Sequence, residues 1–124
     1  MSYAAEAQAA YDAILDAGAM TPLTKQRDGA IDPVTRRATG ASTETRSMPM
    51  VMLPPSSRAL SLVPQELRQQ VQALFHIAPL GNEDFVAAPT DVIGWADGNY
   101  RVLWTVPYNP DGSGAIYVQA FGAR

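Results

Sequence analysis

The sequence predicts a mainly β fold, a small antiparallel β-barrel or sandwich with a short N-terminal helix and a second short helix near residues 64–70. Three observations lead there. From Pro22 onward, short runs of β-branched and aromatic residues are separated by turns rich in glycine and proline. One run, Asn99–Tyr108, alternates, with Tyr100, Val102, Trp104 and Val106 against Arg101, Leu103 and Thr105. An apolar stripe at three- and four-residue steps appears clearly at the start of the chain.

That stripe is Tyr3, Ala7, Ala10, Tyr11, Ile14 and Leu15, and it predicts a helix over residues 3–17, with Gly18 as its C′ residue. Few of these side chains are bulky, so the helix needs a partner surface, its own domain or a neighbouring subunit. Leu23–Arg27 reads as a short strand and Asp28-Gly29 as a turn. Residues 36–47 are polar and read as a long flexible loop. Met48–Leu53 follows as a strand, with Pro49 placing its start at an edge, and Pro54-Pro55-Ser56-Ser57 closes it. Pro64 suits the first turn of a helix over 64–70. Ala73–Ala78 reads as a strand ended by Pro79-Leu80-Gly81, and Pro89–Ile93 begins another. Asp97-Gly98 is a two-residue hairpin signal, Asn109–Gly114 a loop, and Ala115–Phe121 the last strand, with Ile116, Val118 and Ala120 on one face.

A length of 124 residues favours one domain over 1–124: the helix within 1–18, then a β-rich body over 22–124 carrying the loop 36–47. The 47% hydrophobic content suits a globular core. The absence of cysteine excludes disulfides and thiolate metal sites and tilts the expectation toward an intracellular origin. A net charge of −3 lacks the basic field of a nucleic-acid-coating protein. Met1–Glu6 has neither the cationic nor the apolar region of a secretory signal. No run approaches the roughly 18 apolar residues of a membrane span, so no membrane partner is expected.

No pattern points to catalysis, a cofactor or a metal. His76, the only histidine, lies between Phe75 and Ile77 with no nucleophile pattern near it, and reads as a strand residue. The serines lack a G-x-S-x-G elbow, and there is no phosphate-binding glycine motif. Glu83-Asp84 is an acidic pair whose members, adjacent in a turn, point apart. Trp95, Tyr100 and Trp104 read as core or interface anchors before they read as stacking platforms.

Charge is organised in one place. Lys25, Arg27, Arg36, Arg37 and Arg46 are five of the nine basic residues, offset in part by Asp28, Asp32 and Glu44. The stretch is either a solvated loop or a segment that orders against an acidic partner or lies near DNA. The residues singled out as its partner or channel face are Arg36, Arg37, Thr39, Gly40, Thr43, Glu44 and Arg46.

The order of features resembles the small head–tail connector or head-closure proteins of long-tailed bacteriophages. The residues that carry the resemblance begin with Gly29-Ala30-Ile31-Asp32-Pro33-Val34-Thr35 and the polar Ala38–Thr45. They continue with the apolar strand from Met48 to Ser57, Phe75-His76-Ile77-Ala78-Pro79, and Pro89-Thr90-Asp91-Val92-Ile93. They end with Tyr100-Arg101-Val102 and Ala115-Ile116-Tyr117-Val118, joined by the loop 109–114. Gly98 stands one position nearer Tyr100 than the family's pattern, and Leu60–Gln72 is more helical than usual. The resemblance spans nearly the whole chain, through motifs that are individually weak.

It implies a structural virion protein and no enzyme: a β-barrel subunit of the neck, in a ring with copies of itself between the portal or adaptor protein and the tail proteins. DNA would pass the channel without sequence-specific binding, with the loop lining or closing it. The chain would be made in the bacterial host cytoplasm and end in the virion, at the head–tail junction. A tail-terminator or minor tail protein is the nearest alternative; a small ligand-binding barrel or an enzyme is the alternative of another class.

Overall fold

Helix α1 (Ala4–Ala17) forms where the alanine-rich stripe places it. Ile14 is its buried residue, with Ala7, Ala10 and Tyr11 half-buried on the same side. The Gly18 N–H closes the helix on the Ile14 carbonyl at 2.9 Å. A Cβ at Gly18 would overlap the Met50 carbonyl and Val51 Cα, so only glycine lets the chain leave the helix this close to the sheet. The structure, a computed structural model, describes residues 4–27, 30–31, 38–39, 42–109 and 115–124.

Eight strands follow: β1 (Ala19–Arg27), β2 (Ala30–Ile31), β3 (Ala38–Thr39), β4 (Ser42–Leu53), β5 (Ala73–Ile77), β6 (Val92–Trp95), β7 (Gly98–Tyr108) and β8 (Tyr117–Ala123). Six of them close into an antiparallel barrel in the order β1-β4-β5-β8-β7-β6, while β2 and β3 pair only with each other. The fold is thus mainly β, and of the two architectures expected it is the barrel. Among the described residues no helix is long and apolar enough to cross a membrane.

Alternation fills the interior. Leu23, Met48, Met50, Phe75, Ile77, Ile93, Tyr100, Val102, Val118 and Ala120 all point inward and are buried. Burying such a side chain contributes roughly 1.5–3 kcal/mol, so these residues dominate the fold's stability. A smaller apolar cluster lies outside the barrel, where Val63, Leu74 and Phe121 are buried beneath helices α2 (Ser57–Leu60) and α3 (Gln65–Arg68).

Several sequence expectations need correction. The polar stretch 36–47 is not one flexible loop: residues 42–47 are the first half of β4 and pair with Pro22–Arg27 of β1. Thr43, Thr45 and Ser47 face solvent on this strand, and the two threonines are β-branched strand formers. β1 begins four residues before Leu23 and runs through Pro22. The β1–β6 ladder covers only Leu23 and Thr24, beside a proline that has no N–H to give.

Helix α2 was not expected. Ser56 starts it by accepting the Ala59 N–H at 3.1 Å, just where the two prolines signalled a turn. The helix expected over 64–70 is shorter, Gln65–Arg68. In the β6–β7 hairpin Trp95 pairs with Gly98, so the turn residues are Ala96 and Asp97, and Gly98 enters β7 at φ 143°, open only to glycine. Finally, β7 carries a bulge between Val102 and Trp104. Trp104 and Val106 therefore leave the face of Tyr100 and Val102. Trp104 pairs with Phe121 and is 36% exposed, and Val106 packs on the outer cluster.

Candidate functional site

The β1–β4 ladder is longer than the barrel. β6 leaves β1 at Thr24, and the β4–β5 ladder begins only at Met50. Lys25–Arg27 and Ser42–Glu44 thus pair with each other alone, as a two-stranded arm. The Thr24 and Thr45 hydroxyls meet across its base at 2.8 Å, and Lys25 stands opposite Glu44. Further along, β2 and β3 pair Ala30 with Thr39 and Ile31 with Ala38.

The structure distributes the predicted partner residues along this arm. Thr43 is exposed opposite Gln26, Glu44 is half-buried, and Arg46 lies opposite Leu23 at the barrel rim. Thr39 contributes its backbone to the β2–β3 ladder. Arg36, Arg37 and Gly40 lie outside the described residues.

The base of the arm is locked to the segment 78–91, which dips into the barrel mouth. Phe85 is fully buried there, with Ala87 behind it. Two cations cover the Phe85 ring, Lys25 Nζ from the arm at 5.4 Å and the Arg46 guanidinium from the rim below it at 4.7 Å from the centroid. Each also holds a carboxylate of the same segment. Lys25 Nζ donates to Asp91 Oδ2 at 2.5 Å, and Arg46 makes a forked pair with Asp84 at 2.8 and 3.2 Å while its Nε donates to Glu44 at 2.8 Å. The Asp84 hydrogen bond, more than the one to Glu44, holds the Arg46 pKa above its ordinary value. Arg46, read from sequence as a residue facing a partner, thus already has both edges of its guanidinium occupied within the chain.

Glu83 and Asp84 do point apart: Glu83 Oε1 accepts the Gly81 N–H at 3.1 Å while Asp84 faces Arg46. Among the described residues no group of three histidine or acidic side chains is placed to hold a metal. Sequence reading missed the clamp because Lys25 and Asp91 are 66 positions apart. Its one signal was the apolar Phe85-Val86-Ala87-Ala88 inside an otherwise polar connection, the mark of a loop that folds into the core.

On the outer side of the barrel lies a cleft of about 660 Å³. Leu53, Leu74, His76 and Gln119, from β4, β5 and β8, line it along the sheet, and α2 with its flanks lines it through Ser56, Arg58, Ser61 and Leu62. His76 Nε2 lies 3.4 Å from Gln119 Nε2, and the ring stacks on Tyr117 at 5.7 Å. The hydroxyls are used locally, Ser56 in the helix cap and Ser61 donating to the Arg58 carbonyl at 2.5 Å. The cleft therefore offers apolar area, one imidazole and one guanidinium, and suits a side chain better than a reacting group.

Partial burial lowers the His76 pKa below the ordinary 6.5. The unfolded chain then binds a proton more readily than the folded one. The stability tied to this group is fully present above the ordinary value and is lost as the pH falls through it toward the depressed folded value. The melting temperature is expected to drop across that window, and His76→Gln, which keeps a polar partner for Gln119, should flatten the drop; equal slopes in the two proteins would refute the assignment. Compared with known proteins, the chain matches no family model, no curated protein and no solved structure.

Proposed function

We propose that this protein is a structural subunit of the neck of a long-tailed bacteriophage, one copy of a ring that joins the portal or adaptor to the tail and lines or closes the DNA channel. The observation that carries the reading is the architecture of the arm. A closed barrel has no free sheet edges with which to recruit partners. This one sends a polar two-stranded extension beyond its rim and braces that extension at the base with Lys25–Asp91 and Arg46–Asp84. Such a lever suits contact with neighbours or with a channel.

Two segments that carry the resemblance have physical roles in this arrangement. Ala78 and Pro79 are buried where the strand turns into the barrel mouth, and in Pro89-Thr90-Asp91-Val92-Ile93 the aspartate holds Lys25 while the isoleucine fills the core. A net charge of −3 suits a body past which DNA slides without sticking.

The proposal is tested by electron microscopy of intact tailed particles labelled with an antibody to this chain. Label at the head–tail junction is the expected result. Label confined to the distal tail would move the protein to the tail components, and particles without label would remove it from the virion.

A further inference from the structure

The outer cleft and helix α1 have complementary surfaces that do not meet within one chain. At the cleft, Leu62 is 50% exposed beside the floor of Leu53 and Leu74. Arg58 is exposed at the same place and has no carboxylate partner among the described residues. The cleft thus combines apolar area with an exposed cation.

Helix α1 carries the opposite combination. Its charged residues are Glu6, Asp12 and Asp16, with no lysine or arginine. Asp12 and Asp16 sit in its C-terminal half, where the helix dipole is already negative and favours a cation. The described part of the chain supplies none in the last turn. Leu15 is 37% exposed at the margin of the face that buries Ile14, with Asp12 at helical neighbour spacing on its solvent side. A partly exposed leucine with two carboxylates on its solvent side fits an apolar cleft with a guanidinium on its lining.

We propose that the occupant of the cleft is helix α1 of a second copy of this chain, with Leu15 seated over Leu62 and Leu53 and Asp16 paired with Arg58. Helix α1 contacts β4 and β8, and the cleft takes Leu53 and Gln119 from the same two strands; the arrangement proposed is a reciprocal exchange of helix and cleft around a two-fold axis. This inference needs only the two surfaces and does not rest on the neck reading, so either can fail alone.

Charge reversal tests it, with the full chain followed by sedimentation or native mass spectrometry across a concentration series. The wild type is expected to pair, and Arg58→Glu and Asp16→Arg each to weaken pairing by about tenfold or more by setting like charges together. An equimolar mixture of the two variants should pair again, because every contact in the mixed pair once more joins opposite charges. That recovery also shows both variants to be folded. A single-copy mass for the wild type up to about 1 mM, variants that pair as tightly as the wild type, or a mixture that stays apart would each overturn the proposal.

Discussion

Phe85→Ala is expected to lower the unfolding free energy by about 3–5 kcal/mol, the range for removing a fully buried phenylalanine. The ring is 0% exposed and belongs to the same core cluster as Phe75 and Ile77. Its position makes the loss worse than that of transfer alone. Lys25 and Arg46 rest on the ring, and through these cations the segment that carries it is joined to the arm and to the rim at its base. A cavity here cannot close by a small shift, because Leu23, Met48 and Ile93 are held in the closed barrel around it. Urea denaturation is the measurement. Leu62→Ala is the control: Leu62 is half exposed and its loss should cost less than about 1 kcal/mol. Amide exchange should also accelerate at Lys25 and at Glu44–Arg46, because the arm loses the surface on which its cations lie. If the two variants are equally stable, Phe85 is not the plug of the barrel.

The contrast between Phe85 and Leu62 shows what the sequence made legible. A strand that stays in register announces itself by period two, as Tyr100 and Val102 do, and α1 announces itself by its stripe. The bulge after Val102 leaves no mark, since one inserted residue changes neither composition nor hydrophobicity, yet it sends Trp104 and Val106 to the other side of the sheet. The first half of β4 has the sequence of a loop for a related reason. Outside the barrel a strand has no apolar face, and Ser42–Ser47 then differs from a coil only in its β-branched threonines. The cleft was not legible because its sheet side draws Leu53, His76 and Gln119 from three strands that only the closed topology brings together. The apolar run at Phe85 was legible in principle, and so was the carboxylate that follows it at Asp91.

That carboxylate gives the second large effect. Asp91→Ala should cost about 3–5 kcal/mol, because it leaves the Lys25 ammonium, 17% exposed as a side chain, without its partner. The pair as a whole is a weaker asset than this figure suggests, since desolvating two charges offsets most of their attraction. A double-mutant cycle separates the two statements. Lys25→Met alone strands a carboxylate that is 7% exposed and keeps, among the described residues, the Ala88 N–H at 2.8 Å. Removing both charges, as in Lys25→Met with Asp91→Asn, should recover about 1–3 kcal/mol relative to the sum of the single losses. Strict additivity would show that the two side chains do not act as a unit. The backbone decides where the freedom goes. Val102 N–H donates to the Asp91 carbonyl and Thr90 N–H to the Val102 carbonyl, both at 2.8 Å, so the segment stays fastened to β7 whatever stands at position 91. Beyond the Ala88 N–H of its own segment, what the side chain secures is the arm, through Lys25. Protection from exchange should therefore fall at Lys25 and Gln26 while it persists at Ile93, and a loss centred on β6 would mean that Asp91 holds the barrel closed instead of bracing the lever that projects from it.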